Sequence, residues 1–102
     1  MKVRYHPSAR AELRQARDWY EEQQAGLGIE FLDAIQATVA AIRQAPERWP
    51  HVREEPRARR SLVERFPFAV VYAVLGEVIF IVAVAHLRRA PGDWRMRLGT
   101  PS

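Results

Sequence analysis

Cysteine is absent from the 102-residue chain, which excludes disulfide bonds, thiolate metal sites and cysteine nucleophiles. Long apolar runs are absent too, because the longest, residues 78–85, is far short of the roughly 20 residues that span a bilayer. The N-terminal residues 1–5 lack the apolar stretch of a signal peptide. We therefore expect a cytoplasmic protein without a membrane partner.

Histidine is scarce, and glycine is sparsely placed. The three histidines, His6, His51 and His86, include no pair at the i, i+4 spacing with which a helix presents two metal ligands. No glycine-rich loop separates an apolar strand pattern from a helix pattern, as it does in phosphate-binding sites. The sequence therefore predicts no metal site and no cofactor.

Lysine is nearly absent, since Lys2 is the only one beside fifteen arginines. The formal net charge is +4, and residues 56–102 contain eight arginines against three acidic residues. Codon usage in a GC-rich genome explains most of the arginine preference. The uneven distribution nevertheless predicts binding to an anionic macromolecule, because the guanidinium group pairs well with carboxylates and phosphates.

The first half of the chain has a strand pattern followed by two helix patterns. Residues 1–5 alternate between apolar and charged side chains, which predicts a short half-buried strand. A helix is predicted from Pro7 or Ser8 to about Gln24, because proline suits a first turn and serine caps its amides. Its buried face carries apolar residues at helical spacing, namely Ala9, Leu13, Ala16 and Tyr20.

A glycine turn and a second helix follow. Residues 26–28 predict a tight connection, residues 29–44 a helix with a wide apolar face, and Pro46 its end. We expect the helices to lie antiparallel as a hairpin, with the indole of Trp19 packed inside it. The acidic residues on the exposed side of the first helix are expected only to face solvent; these are Asp18, Glu21 and Glu22.

The second half of the chain has strand patterns. Residues 47–57 contain two prolines and mixed charges, which predict a loop with Trp49 packed against the helices. Residues 59–65, 68–74 and 78–85 are rich in β-branched and aromatic side chains and predict three strands, the last two joined as a hairpin.

The order β-α-α-β-β-β predicts an α+β fold in which the helix hairpin packs on one face of a small, mainly antiparallel sheet. We expect one domain over residues 1–97 and a frayed tail over residues 98–102. The second face of the sheet is expected to be partly open, with arginines around it.

Four stretches together resemble the RelE/ParE superfamily of toxins from type II toxin–antitoxin modules, also called plasmid stabilisation proteins. They span about residues 3–97, and the chain resembles the ParE-like branch more closely than the RelE-like branch. The stretches are His6-Pro7, Trp19-Tyr20, Gly26-Leu27-Gly28 with Phe31-Leu32, and Arg65-Phe66-Pro67-Phe68 through Tyr72, which continues to Val82 through His86 with Arg88-Arg89-Ala90-Pro91 and Trp94-Arg95.

The resemblance implies a small basic toxin that is held inactive by a cognate acidic antitoxin in a hetero-oligomer. ParE-like members bind DNA gyrase and cleave nothing themselves, whereas RelE-like members cut messenger RNA on the ribosome without a metal. A gyrase-binding toxin is therefore the favoured function. A nontoxic nucleic-acid-binding accessory domain is a third hypothesis, motivated by charge alone.

A metal-free ribonuclease needs a proton acceptor, a proton donor and cations on the phosphate. If the chain is such an enzyme, its catalytic residues are expected to be His86, Arg65, Arg88 and Arg89. Against this hypothesis, the resemblance places Ala69 where RelE-like nucleases usually carry an arginine on the scissile phosphate. A histidine at the end of a buried strand is also more often a structural hydrogen-bonding group.

Basic and aromatic residues of the second half are the candidates for partner binding. Trp94 either packs back on the core or anchors a contact, since tryptophan is enriched in interface hot spots. The predicted partner-binding residues are Arg59, Arg60, Arg65, Arg88, Arg89, Trp94 and Arg95. An apolar face of the antitoxin is expected on the helix hairpin or a sheet edge, with its carboxylates facing Arg59, Arg60 and Arg65.

Overall fold

Two helices cover one face of a five-stranded sheet in the computed structural model, which describes residues 1–89 and 93–99. The predicted α+β fold is confirmed. The elements are β1 (Lys2–Tyr5), α1 (Pro7–Gln23), α2 (Leu27–Gln44), β2 (His51–Val52), β3 (Glu55–Leu62), β4 (Phe68–Leu75), β5 (Val78–His86) and a C-terminal 3₁₀ helix (Asp93–Gly99).

Three differences from the sequence prediction lie in the polar segments. The predicted loop contains β2 and the start of β3, and β3 ends at Leu62 rather than at residue 65. Leu98 and Gly99, predicted as tail, close the 3₁₀ helix. Ala90 and Pro91 of the matching pattern, and the tail beyond Gly99, lie outside the described residues.

Side chains and close packing fix the two helices. The ring of His6, and not Ser8, caps α1, since its Nδ1 accepts a hydrogen bond from the Ser8 N–H at 3.0 Å. Glu21 does more than face solvent, because its carboxylate accepts hydrogen bonds from the N–H groups of Gly26 and Gly28, both at 3.0 Å. A Cβ on Gly28 would lie 2.8 Å from the carbonyl oxygen of Arg17, so this close approach of the helices requires glycine.

The sheet order is β1-β5-β4-β3-β2, in which β1 runs parallel to β5 and the other neighbours are antiparallel. Between the helices and the sheet lies the larger core, where aromatic rings pack edge to face at about 5 Å between centroids. The rings belong to Tyr20, Phe31, Phe66 and Phe68. As predicted, Trp49 packs against this core.

A smaller core covers the second face of the sheet. Trp94 of the 3₁₀ helix is 7% exposed and packs with buried residues of β3, β4 and β5, among them Ala58, Val71 and Val82. The expected open face is therefore limited to its margin, where Arg60 and Leu62 are exposed. Neither α1 nor α2 is long and apolar enough to cross a membrane.

Candidate partner-binding groove

A groove of about 490 Å³ lies between α1 and the end of β5. One wall is formed by α1, the floor by the last residues of β5, and the opposite wall by the 3₁₀ helix. Its lining combines aromatic rings, small apolar side chains and both signs of charge; it includes Glu12, Ala16, Trp19, Tyr20, Phe68, Val84, His86, Arg89, Trp94 and Arg97. We call it the α1–β5 groove.

The floor of this groove is the edge of a strand. β1 pairs with β5 only as far as Tyr5 and Ile81, after which the His6 N–H donates to the Ile81 carbonyl at 2.9 Å and the chain turns into α1. Among the described residues, no strand continues this pairing along residues 82–86. The groove therefore contains backbone positions at which the sheet is able to accept another strand.

The side chains of Glu12 and Arg97 form hydrogen bonds with the backbone of this edge. Glu12 Oε1 accepts hydrogen bonds from the Val84 N–H at 3.0 Å and from Arg97 Nη1 at 3.1 Å, and its Oε2 accepts from Arg97 Nη2 at 2.8 Å. Arg97 Nη1 also donates to the Val82 carbonyl at 3.0 Å. The pair is partly screened from water, with the side chains 33% and 19% exposed for Glu12 and Arg97. It connects α1, β5 and the 3₁₀ helix.

An exposed indole stands on the rim of the groove. Trp19 is 56% exposed and meets the ring of Tyr20 edge to face, with 5.1 Å between centroids. Tyr20 turns inward onto the aromatic core, and burial raises the pKa of its phenol. The prediction that Trp19 packs inside the hairpin is wrong, because it lies one position away from the face that carries Ala16 and Tyr20.

The C-terminal end of β5 brings His86 and Arg89 to the groove. His86 Nδ1 accepts a hydrogen bond from the Arg88 N–H at 3.1 Å, and its ring packs edge to face on Phe68 at 5.0 Å. The side chains of Arg88 and Arg89 are exposed. These contacts give His86 a structural role in the turn that follows β5.

The other predicted site residues lie elsewhere. Arg65 has a φ of 75° and extends towards α2, where its Nη2 lies 2.8 Å from Glu30 Oε1 in a separate groove. Arg59 Nη1 donates to the carbonyls of Glu47 at 3.0 Å and Trp49 at 2.7 Å, so it fastens the loop before β2. Arg60, the next residue of β3, faces the opposite side of the sheet. The predicted partner-binding residues therefore do not share one surface.

Trp94 and Arg95 sit at different depths. Trp94 packs back on the sheet, which is one of the two alternatives stated above, while Arg95 is exposed.

Glu55 of β3 accepts hydrogen bonds from Arg57 at 2.7 and 2.9 Å. These bonds, together with the positive charges of Arg57 and Arg95, lower the pKa of Glu55 to about 2.

Sequence reasoning missed the residues that organise the groove. Glu12 and Arg97 are 85 positions apart, and no local pattern indicates that they meet. Trp19 carried a detectable signal, because it falls beside and not on the apolar stripe of α1. Within the described parts of the chain, no cluster of histidine and acidic side chains is arranged to hold a metal ion.

Comparison with known proteins identifies the family. The model of the ParE toxin of type II toxin–antitoxin systems, parDE, matches residues 3–91. The chain belongs to the ParE toxin family. Its match covers β1 through the C-terminal end of β5, so the α1–β5 groove is built largely from the family's own segment. Membership implies an antitoxin partner.

A solved structure supports the same fold for this ParE-family chain. It comes from a "Chromosomal ParDE TA system from P. aeruginosa", with a TM-score of 0.67 and 24% sequence identity. The alignment covers 86% of this chain and 97% of that one. No curated protein sequence gives a significant match.

Proposed function

We propose that this protein inhibits growth by binding DNA gyrase and that its cognate antitoxin neutralises it in a hetero-oligomer. The family match over residues 3–91 is the observation that carries the proposal. The resemblance to the ParE-like branch supports gyrase as the target. The exposed side chains of Arg60, Arg88, Arg89 and Arg95 remain proposed partner contacts, whereas Arg59 is engaged inside the fold.

Three features support binding over RNA cleavage. Ala69 is 1% exposed in β4, so this position offers a buried methyl group and no cation for a phosphate. His86 Nδ1 already accepts the Arg88 N–H, which leaves only Nε2 for proton transfer. In addition, Arg65 pairs with Glu30 on α2 and not with a group of the α1–β5 groove. Of the residues named for a nuclease, His86 and Arg65 therefore have structural contacts, whereas Arg88 and Arg89 are exposed.

A supercoiling assay with purified gyrase tests the target. Added toxin is expected to inhibit supercoiling and to accumulate cleaved DNA, and prior mixing with the antitoxin is expected to prevent both effects. Unchanged supercoiling at excess toxin would contradict the proposal. Primer extension on translated messages after induction tests the enzyme hypothesis in parallel, and new 5′ ends there together with unaffected gyrase would favour a ribonuclease. Growth arrest on induction would argue against a merely accessory role.

A further inference from the structure

The outer side of β3, which faces away from β4, is only partly covered. β2 lies beside β3 as far as Arg60, whose N–H donates to the Pro50 carbonyl at 3.1 Å. Within residues 1–89 and 93–99, no strand lies beside the positions that follow on this side. The positive φ of Arg65 then ends the extended backbone. The uncovered stretch is residues 60–64, the end of β3 and the two residues after it, and we call it the β3 edge.

The backbone of Leu62 points outward at the centre of this edge. The N–H and carbonyl of one residue of a strand point to the same side, and that side alternates along the chain. The Val63 N–H donates to the Phe68 carbonyl of β4 at 2.9 Å, so the N–H and carbonyl of Leu62 point away from β4, as the Arg60 N–H does. The Leu62 side chain is 59% exposed. An uncovered edge with an exposed apolar side chain is a template for another strand.

The β3 edge is complementary to itself. If two copies pair antiparallel about a two-fold axis at Leu62, each Leu62 lies opposite the other, and Arg60 lies opposite Glu64 of the second copy. The Arg60 and Glu64 side chains are exposed, and neither belongs to an ion pair within the described part of the chain. Opposite charges directly across two strands stabilise their pairing, and this register forms two such pairs.

A second groove, of about 450 Å³, separates the β3 edge from α2 and favours the same occupant. Small side chains of α2 line it, and the two-fold axis would place α2 of both copies on one face of the joined sheet with these sides towards each other. Acidic side chains outnumber basic ones in its described lining, which includes Glu30, Asp33 and Glu64 beside Arg65. An acidic partner is therefore disfavoured here, whereas this chain has a formal net charge of +4.

We propose that the β3 edge is a self-association surface, at which two copies of this chain join their sheets through antiparallel pairing centred on Leu62. The two Leu62 residues exchange N–H···O bonds, and an Arg60–Glu64 pair forms on either side of them. The inference is independent of the proposed function, because it needs neither gyrase nor the antitoxin. The sheet order places β4 between β3 and β5, so a dimer of this kind leaves the α1–β5 groove open.

Sedimentation velocity of the purified full-length toxin alone tests the surface. A stretch of five residues is a small interface, so a reversible dimer with a dissociation constant of about micromolar order is expected. Leu62→Lys is expected to weaken it by at least about tenfold, because it brings two ammonium groups together and removes the apolar contact. Leu75→Lys is the matched control, since Leu75 is 52% exposed at the far end of β4, and it is expected to leave the dimer unchanged.

A toxin that stays monomeric throughout this range would overturn the inference. So would a dimer that Leu62→Lys and Leu75→Lys weaken equally. If Leu62→Lys left the mass unchanged and weakened antitoxin binding, the edge would belong to the antitoxin and the inference would be wrong.

Charge exchange tests the register. Arg60→Glu and Glu64→Arg each place like charges opposite each other at both ends of the pairing, and each is expected to weaken the dimer by about fivefold or more. The double variant restores opposite charges and is expected to return the dissociation constant to within about twofold of the wild type. Glu77→Arg changes the net charge as Glu64→Arg does, but in the exposed turn before β5, and is expected to have little effect. A double variant as weak as the single ones would contradict the pairing of Arg60 with Glu64.

Discussion

The two halves of the outer edge of β5 are completed in different ways. Residues 78–81 pair with the backbone of β1, and their inward side chains lie in the main core. Along residues 82–86, Glu12 accepts a hydrogen bond from the Val84 N–H and Arg97 donates one to the Val82 carbonyl instead. A backbone neighbour belongs to the sheet and is lost only when the sheet unfolds, whereas a side chain is able to rotate away while the sheet stays folded. The first half is therefore completed by backbone pairing, whereas the second depends on two side chains.

Truncation in the first half is expected to have the largest effect on the protein. Ile81 is fully buried, so Ile81→Ala is expected to lower the free energy of unfolding by about 3 kcal/mol through lost burial and a residual cavity. Urea unfolding measures the change. Ile29→Ala is the matched control, because Ile29 is 64% exposed, and a change within about 0.5 kcal/mol is expected there. Equal losses of unfolding free energy in Ile81→Ala and Ile29→Ala would contradict the assignment of Ile81 to the half of the edge that stabilises the fold.

Truncation beside the second half is expected to affect binding more than stability. Trp19→Ala removes an exposed indole from the groove rim, so antitoxin affinity is expected to fall by about tenfold or more while the unfolding midpoint changes little. Calorimetric titration with the antitoxin measures the affinity. Leu75→Ala is a suitable control, because Leu75 is 52% exposed and absent from the lining of the α1–β5 groove. If Trp19→Ala bound the antitoxin with unaltered affinity, the groove rim at Trp19 would not be part of the interface.

The sequence predicted both helices and β5 well because local sequence patterns determine them. Apolar spacing located both helices within two residues, and an unbroken apolar run located β5. Proline and glycine marked the ends of α1 and α2 because they restrict or release the backbone.

The hydrogen bonds along residues 82–86 were not predictable from pattern, because residues distant in the sequence form them. The meeting of Glu12 and Arg97 depends on how α1 crosses the sheet and where the 3₁₀ helix returns. The start of β3 was missed for a related reason, since its residues are polar and pair with β2, a two-residue strand that lies in the predicted loop. The conformation of Arg65 at positive φ likewise follows from its loop and not from its residue type.

The ion pair between Glu55 and Arg57 of β3 is expected to have the smallest effect, and it sharpens the comparison with Glu12 and Arg97. Hydrogen bonds from Arg57 and the nearby positive charges lower the pKa of Glu55 from 4.5 to about 2. The unfolded chain therefore binds the proton more tightly than the folded chain, so the stabilisation is complete above about pH 4.5 and is lost as the pH falls towards about 2.

Urea midpoints of the wild type and Glu55→Gln are accordingly expected to differ slightly at neutral pH and to converge on acidification. The difference is small because the Arg57 side chain is 64% exposed and water screens the pair. In an Arg57→Gln background, Glu55→Gln is expected to change neither the midpoint nor its pH dependence, since the main source of the lowered pKa is gone. If the difference in urea midpoint between the wild type and Glu55→Gln persisted or widened below about pH 4.5, packing and not the ion pair would provide the stabilisation. Antitoxin affinity is expected to be the same in all three variants, because this pair lies outside the α1–β5 groove.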